Sequence, residues 1–394
     1  MVQKRAVWKT ESITKRHPSM TDALTSFRST QPKKASFARD LLLTKSARAD
    51  VYSLHMLRPR WVLHLEAWCW RFLTDIGFFF HRRALPRPIS PSFNRRIKST
   101  LSPLEGYIDL VFYTPNDYHL RFNGSDDVTR YPVLVNFHGG GFTIGRATDD
   151  SRWATTVVQN LNCIVVSVDY RCAPEAPFPT AVEDGADAIL WLLLNAKELK
   201  LDPSKLAVSG FSAGGNLAFT SLLRLQVELI RRRTDMPELS SIIKGIIAWY
   251  PSTDFTRPRI ERRKTNIRPD KELPAFFTRL FDASYLYPPK TVDVSDPYLS
   301  PAAASDVILH EGLPATVVMY TCEWDELRDE AERFKDRLTA LGKYVRYTMI
   351  EGVAHAWDKN PFGVNVIRDR YYSDACDQLR RLFHSTSDIS ESKV

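Results

Sequence analysis

One ten-residue stretch, Leu206-Ala207-Val208-Ser209-Gly210-Phe211-Ser212-Ala213-Gly214-Gly215, constrains this chain more than any other. Apolar residues run into Gly210-Phe211-Ser212-Ala213-Gly214, which fits G-x-S-x-G, and an amphipathic run from Asn216 to Arg233 follows. Strand, sharp turn, helix is the context in which this pattern lifts a serine hydroxyl clear of a sheet. Glycine is required two positions either side of Ser212, because a side chain there would collide with the turn. The turn also sets Ser212 at a helix N-terminus, where backbone N–H groups can meet an anion. Chance supplies the five-residue pattern in about one chain in ten of this length. The weight therefore falls on the flanking strand and helix.

The same alternation recurs along the chain. Ile108–Tyr113, Pro132–Phe137, Cys163–Val168, Lys205–Ser209, Lys244–Tyr250, Ala315–Thr321 and Val345–Ile350 read as strands. Ser151–Gln159, Thr180–Asn195, Ala213–Arg233, Leu327–Leu341 and a segment near Tyr371–His384 read as helices. Elements of these lengths in this order predict an α/β fold, a mostly parallel central sheet with helices on both faces.

Two regions depart from that rhythm. Residues 254–300 are long, proline-containing and aromatic, with Phe276, Phe277, Phe281, Tyr285 and Tyr287. Long insertions in compact α/β domains usually serve function, and this one reads as part of a cap. Upstream, Leu41–His81 is rich in Trp and Phe yet contains His64, Glu66, Arg71 and Asp75. Those charges argue against a membrane span and for an amphipathic helix. Capping or packing is the favoured role, with attachment to a membrane surface as the alternative. Pro86, Pro88 and Pro91 mark a linker. The expected division is a basic, poorly ordered arm over 1–40, an aromatic helical segment over 41–100, and an α/β catalytic domain over 101–394 with a cap insertion near 254–300.

At 394 residues, 44% hydrophobic and 25% charged, the chain has ordinary globular composition and enough length for a large core. Its formal charge of +8 is unevenly placed. Residues 1–50 hold eleven Lys/Arg against four Asp/Glu, leaving +7 in that arm and a nearly neutral body. A solvated tail is the favoured reading, with peripheral contact to an anionic membrane as the alternative. No nucleic-acid partner is expected, since no aromatic-basic interleaving accompanies the charge. Five cysteines, scattered and without C-x-x-C spacing, read as reduced thiols. The polar start Met1-Val2-Gln3-Lys4-Arg5 has no apolar stretch after it. A cytoplasmic location is expected, not a secreted one. Nothing in the residues points to an oligomeric state.

A serine hydroxyl needs an adjacent base, and the base needs a third group to hold its tautomer. The oxyanion formed on attack needs preorganised donors. His138-Gly139-Gly140-Gly141-Phe142 follows the strand Pro132–Phe137 and leaves unshielded N–H groups, the HGGG pattern of lipases and esterases. Gly139 and Gly140, with Ala213, are the expected oxyanion donors, and His138 is read as a prop for the loop. Among nine histidines, His355 lies in a loop just after a strand and after Ser212 in chain order. Between them, Asp325 follows the strand Ala315–Thr321 and is the preferred orienting acid, with Glu323 as fallback. Asp329 and Glu330 fall inside the next helix and read as surface charges. Asp254 and Asp296 do not directly follow a strand.

With these residues in view the chain resembles the hormone-sensitive-lipase-like branch of the α/β-hydrolase superfamily. Four stretches carry the resemblance in the family's order: His138–Phe142, Asp169–Pro179, Gly210–Gly215, and Asp325 through His355. Together they span about residues 108–385. The resemblance implies Ser212 as nucleophile, Asp325 as acid and His355 as base. It implies a structural role for Asp169–Pro179, bracing the sheet beneath the site, and a cap built from N-terminal and inserted segments. Phe211 departs from the Asp that often precedes the nucleophile, which alters local hydrogen bonding. The expected activity is a serine carboxylic-ester hydrolase working through an acyl-enzyme on small apolar esters, short-to-medium acyl or acetyl. No metal or organic cofactor is called for. Amide or lactone hydrolysis, acyl transfer, and a ligand-binding receptor on the same scaffold stay open as alternatives.

Overall fold

The computed structural model describes residues 58–118, 130–232, 239–288, 291–360 and 365–384. The basic arm and the first part of the aromatic segment lie outside the described residues. Among the described residues eight strands form one sheet: β1 (Phe93–Lys98), β2 (Tyr107–Tyr113), β3 (Tyr131–Phe137), β4 (Ile164–Asp169), β5 (Leu201–Phe211), β6 (Ile243–Trp249), β7 (Thr316–Trp324) and β8 (Tyr344–Ala354). Their spatial order is β1-β2-β4-β3-β5-β6-β7-β8. β1 and β2 run antiparallel to each other, and β2 runs antiparallel to β4. The pairs from β4 through β3, β5, β6 and β7 to β8 are all parallel. This is the mostly parallel α/β sheet that the alternation of elements predicts, in the α/β-hydrolase fold that the resemblance implies.

Side chains alternate between the two faces of the sheet with the strand period of two. Val133, Val135 and Phe137 join a core shared with α3 (Thr180–Leu194), α4 (Ala213–Arg232) and α8 (Arg328–Ala340). Leu134 points the other way, into a core shared with α2 (Ser151–Leu161) and α9 (Val366–His384). Both faces are covered, so β4 reads Ile-Val-Val-Ser-Val with every one of those residues buried.

Residues 93–98, expected inside the helical segment 41–100, are instead the strand β1. Of Phe93-Asn94-Arg95-Arg96-Ile97-Lys98 only Ile97 is buried. An edge strand needs little apolar sequence, which is why alternation alone did not mark it.

An outer layer lies over one end of the sheet. It consists of α1 (Arg60–Arg83), α5 (Arg259–Arg263), α6 (Ala275–Tyr285) and their connections. α7 (Asp306–Gly312) follows on the sheet side, where Ile308 and Leu309 join the main core. Leu63 of α1 packs with Leu280 and Ala283 of α6, and the Trp70 ring lies 4.8 Å from that of Phe276 and 4.6 Å from that of Phe277. Arg71 ties α1 to the sheet domain, donating to the Thr143 and Ala173 carbonyls and to both oxygens of Glu175. Among the described residues no helix is long and apolar enough to cross a membrane.

Candidate active site

The turn at Ser212 follows from contacts that only glycine permits. β5 ends at Phe211 and α4 begins at Ala213, leaving Ser212 alone between them with φ of 54°. A Cβ on Gly210 would stand 2.0 Å from the Gly214 carbonyl oxygen, and one on Gly214 would stand 2.1 Å from that of Phe137. The left-handed conformation of a serine costs on the order of 1 kcal/mol, held here by the strand and helix on either side. The Ser212 N–H donates to the Trp249 carbonyl on the neighbouring strand at 2.9 Å.

Two strand ends bring the other groups to this hydroxyl. β8 runs to Ala354, so His355 is the first residue beyond it. β7 runs to Trp324, so Asp325 is the first residue beyond that. His355 Nε2 lies 2.8 Å from Ser212 Oγ, and His355 Nδ1 lies 2.7 Å from Asp325 Oδ2. The second Asp325 oxygen accepts the Leu327 N–H at 3.0 Å, fixing the carboxylate's angle. The edge of the Tyr250 ring, 4.7 Å between centroids, closes the other side of the imidazole. Burial works against charging that imidazole. The Asp325 carboxylate outweighs it through its charge and its hydrogen bond, with Glu326 and Asp358 adding to the field, so the pKa is raised above the ordinary histidine value.

The glycine loop borders the same point. A Cβ on Gly139 would meet the Phe211 carbonyl oxygen at 3.1 Å and Ser212 Cβ at 3.6 Å. Gly140 has φ of 112°, and a Cβ there would lie 2.1 Å from the Ile144 carbonyl oxygen. Among the described residues the amides of Gly139, Gly140 and Ala213 have no hydrogen-bond acceptor. Three N–H groups without partners beside one hydroxyl suit a transient anion. His138 is turned away from this use. Its Nδ1 is 2.8 Å from the Gly139 carbonyl, its ring stacks on Tyr170 at 4.1 Å, and Tyr170 OH donates to the His138 carbonyl. Burial holds the His138 pKa down. The fallback Glu323 instead accepts the Gly352 N–H at 2.8 Å.

Cavities open on both sides of Ser212 and His355. One, of about 180 Å³, lies between the glycine loop and the outer layer and is lined by Ile144, Phe277, Phe281, Thr74 and Phe78. The other, of about 40 Å³, lies toward Phe255, Tyr285, Arg259 and Glu272. Ser212, Gly141 and Phe281 line both.

A family model described as alpha/beta hydrolase fold matches residues 134–359, more than half of the chain. The chain belongs to the α/β-hydrolase fold family. An arylesterase of Saccharolobus solfataricus is 32% identical over 59% of this α/β-hydrolase and 70% of its own length. The carboxylesterase NlhH of Mycobacterium tuberculosis is 33% identical over 56% of this chain and 66% of its own. The match thus spans about two thirds of these relatives. A solved hyperthermophilic esterase from the archaeon Pyrobaculum calidifontis superposes with a TM-score of 0.64 at 25% identity, over 89% of this chain and 97% of that one. These likenesses agree with the resemblance to the hormone-sensitive-lipase-like branch.

Two features of this α/β-hydrolase escaped the sequence reading. Glu330, expected as a surface charge, is 1% exposed. It accepts the Thr253 N–H at 2.7 Å and pairs with Arg262 at 3.2 Å, joining α8 to the outer layer. Its helical position hid this, because the partners lie about seventy residues upstream. Beside it, Arg259 makes a two-bonded pair with Asp282 and bonds Glu326 at 2.6 Å, while Arg263 bonds Glu326 at 2.8 Å. The outer layer is therefore ionically tied to the residue next to Asp325. The second feature lies behind Phe211. Lys359 Nζ sits 3.5 Å from the centre of the Phe211 ring and bonds Asp150 at 2.7 Å and Asp358 at 2.9 Å. Asp358 also accepts from Tyr250 OH and Tyr372 OH. The charges behind the turn thus come from loops far along the chain, and Phe211 offers Lys359 an aromatic face.

Proposed function

We propose that this protein is a serine carboxylic-ester hydrolase. The observation that carries the reading is the continuous pair of hydrogen bonds from Ser212 Oγ through His355 to Asp325, 2.8 Å and 2.7 Å, beside three amides without acceptors. Relatives named as esterases and carboxylesterases support ester hydrolysis. In this reading His355 Nε2 takes the Ser212 proton as Oγ attacks the ester carbonyl. Asp325 holds the Nδ1–H tautomer and stabilises the imidazolium. The amides of Gly139, Gly140 and Ala213 bind the oxyanion. The imidazolium then protonates the departing alcohol, leaving an acyl group on Ser212. Water activated by His355 releases the acid and restores the serine.

The outer layer is taken as the cap. The apolar lining of the 180 Å³ cavity favours short-to-medium acyl or acetyl esters of small molecules. Turnover of p-nitrophenyl esters of increasing acyl length tests both parts. Ser212→Ala is expected to lower kcat by on the order of 10⁴-fold or more. Full activity in that variant would refute the assignment. Equal turnover of polar and apolar acyl groups would refute the substrate class. Tight ester binding with no turnover by the unaltered protein would point to a receptor.

A further inference from the structure

Helix α1 is amphipathic in the inverted sense for a surface helix. Between Arg60 and Arg83 every side chain left exposed is apolar, apart from Cys69, with Gly77 among them. Trp61, Leu65, Trp68, Phe72, Ile76 and Phe79 recur every three or four residues, which aligns them along one side of the helix. Each is between 43% and 69% exposed. Charged residues within the helix pair with the sheet domain instead. Arg71 and His64 meet Glu175, and Asp75 meets Arg146. A helix that only covered a core would point those groups at water and hide the rings.

We propose that this outer face docks the protein on an anionic lipid surface, with α1 lying in the plane of the interface. Three observations select lipid over another occupant. The face is rich in Trp and Phe, which settle at headgroup depth. Arginines bracket it: Arg60 and Arg83 are exposed at its ends, and Arg87 is exposed just beyond. The chain enters α1 from a segment that carries seven net positive charges in its first fifty residues, which an anionic surface attracts. The inner side of the same helix reaches the cavity. Thr74 and Phe78 line it together with Ser212, and Trp70 stacks on Phe276 at the cap. A lipid surface on the outer face would thus be separated from the cavity at Ser212 by this one helix. The substrate corollary, esters dissolved in the lipid phase, rests on the hydrolase reading, but the docking does not.

The test uses the full chain with Ser212→Ala, so that binding is read without catalysis. It is sedimented with vesicles of phosphatidylcholine containing about one-third phosphatidylserine, and with phosphatidylcholine alone. Stronger binding to the anionic vesicles is expected. Adding Trp68→Glu and Phe72→Glu together should weaken that binding by roughly tenfold or more. Both positions are exposed, so the thermal midpoint should hold. On the Ser212 background, the pair should leave turnover of a water-soluble p-nitrophenyl ester within about twofold. Failure of the unaltered face to bind vesicles would overturn the proposal. So would vesicle binding indifferent to the two glutamates. A dimer that the glutamates dissolve, with no vesicle binding, would assign the face to a second copy and overturn it as well. Vesicle binding without turnover of any ester would refute the hydrolase reading and uphold the docking.

Discussion

The two walls of the site are held by different physics. The sheet wall is fixed by backbone: a Cβ at Gly210 would meet the Gly214 carbonyl, and one at Gly214 would meet the carbonyls of Phe137 and His138. The wall supplied by the outer layer, the proposed cap, is fixed by side chains: Arg259 and Arg263 reaching Glu326, Arg262 reaching Glu330, and Trp70 against Phe276 and Phe277. Backbone geometry positions atoms to fractions of an ångström, as the proposed proton transfer between Ser212 and His355 would demand. Side-chain pairs tolerate exchange, so a cap can be retuned while the chemistry stays in place. The walls meet at Gly141, where an added Cβ would fall 2.2 Å from the Phe281 ring.

Changing Asp325 to Asn tests the sheet wall and should have the largest effect, lowering kcat by on the order of 10³- to 10⁴-fold. It should also move the acid limb of the pH–rate profile. The base acts when neutral, so activity falls as pH drops through the His355 pKa, which lies above the ordinary 6.5 in the unaltered protein. Without the Asp325 charge, burial is opposed only by the fields of Glu326 and Asp358, so that pKa falls. The limb of the residual activity should therefore move to lower pH, and an unmoved limb would detach Asp325 from His355.

Changing Arg259 to Leu tests the cap wall. It leaves Asp282 and Glu326 short of a partner and should cost about 2–3 kcal/mol in urea unfolding. Its effect on kcat should be far smaller than that of Asp325→Asn, with the larger change in KM. Burial pushes the Glu326 carboxyl up, but Arg259, Arg262 and Arg263 outweigh it and hold the pKa below its usual 4.5. That stabilisation is complete above 4.5 and fades as pH falls through the lowered value. The stability gap between variant and parent should narrow on acidification in step. A kcat loss as large as that of Asp325→Asn would erase the distinction between the walls. Last and smallest, Glu323→Gln should leave kcat within about twofold, because Glu323 braces Gly352 and not His355.

The strand–helix alternation, the turn at Gly210–Gly214 and the glycine loop were legible because each is a local demand. A buried strand needs a run of apolar residues, and a tight turn needs glycine, whatever the rest of the chain does. Asp325 and His355 were legible by their places after strands, since a parallel sheet gathers such loops at one end. Glu330 was misread because helical position reports exposure only when the covering segment is known. The exposed apolar residues on α1 were visible as composition, yet composition does not say which side of a helix meets the body.

Sequence alone thus determined the layered α/β architecture, the serine turn and a short set of candidates for its partners, all set by periodicity and backbone sterics. Tertiary structure alone decided what stands behind Phe211, how the outer layer is clamped and which face of α1 meets solvent. Those depend on distances between residues far apart in the chain, and such distances exist only once the sheet has brought its strand ends and loops together.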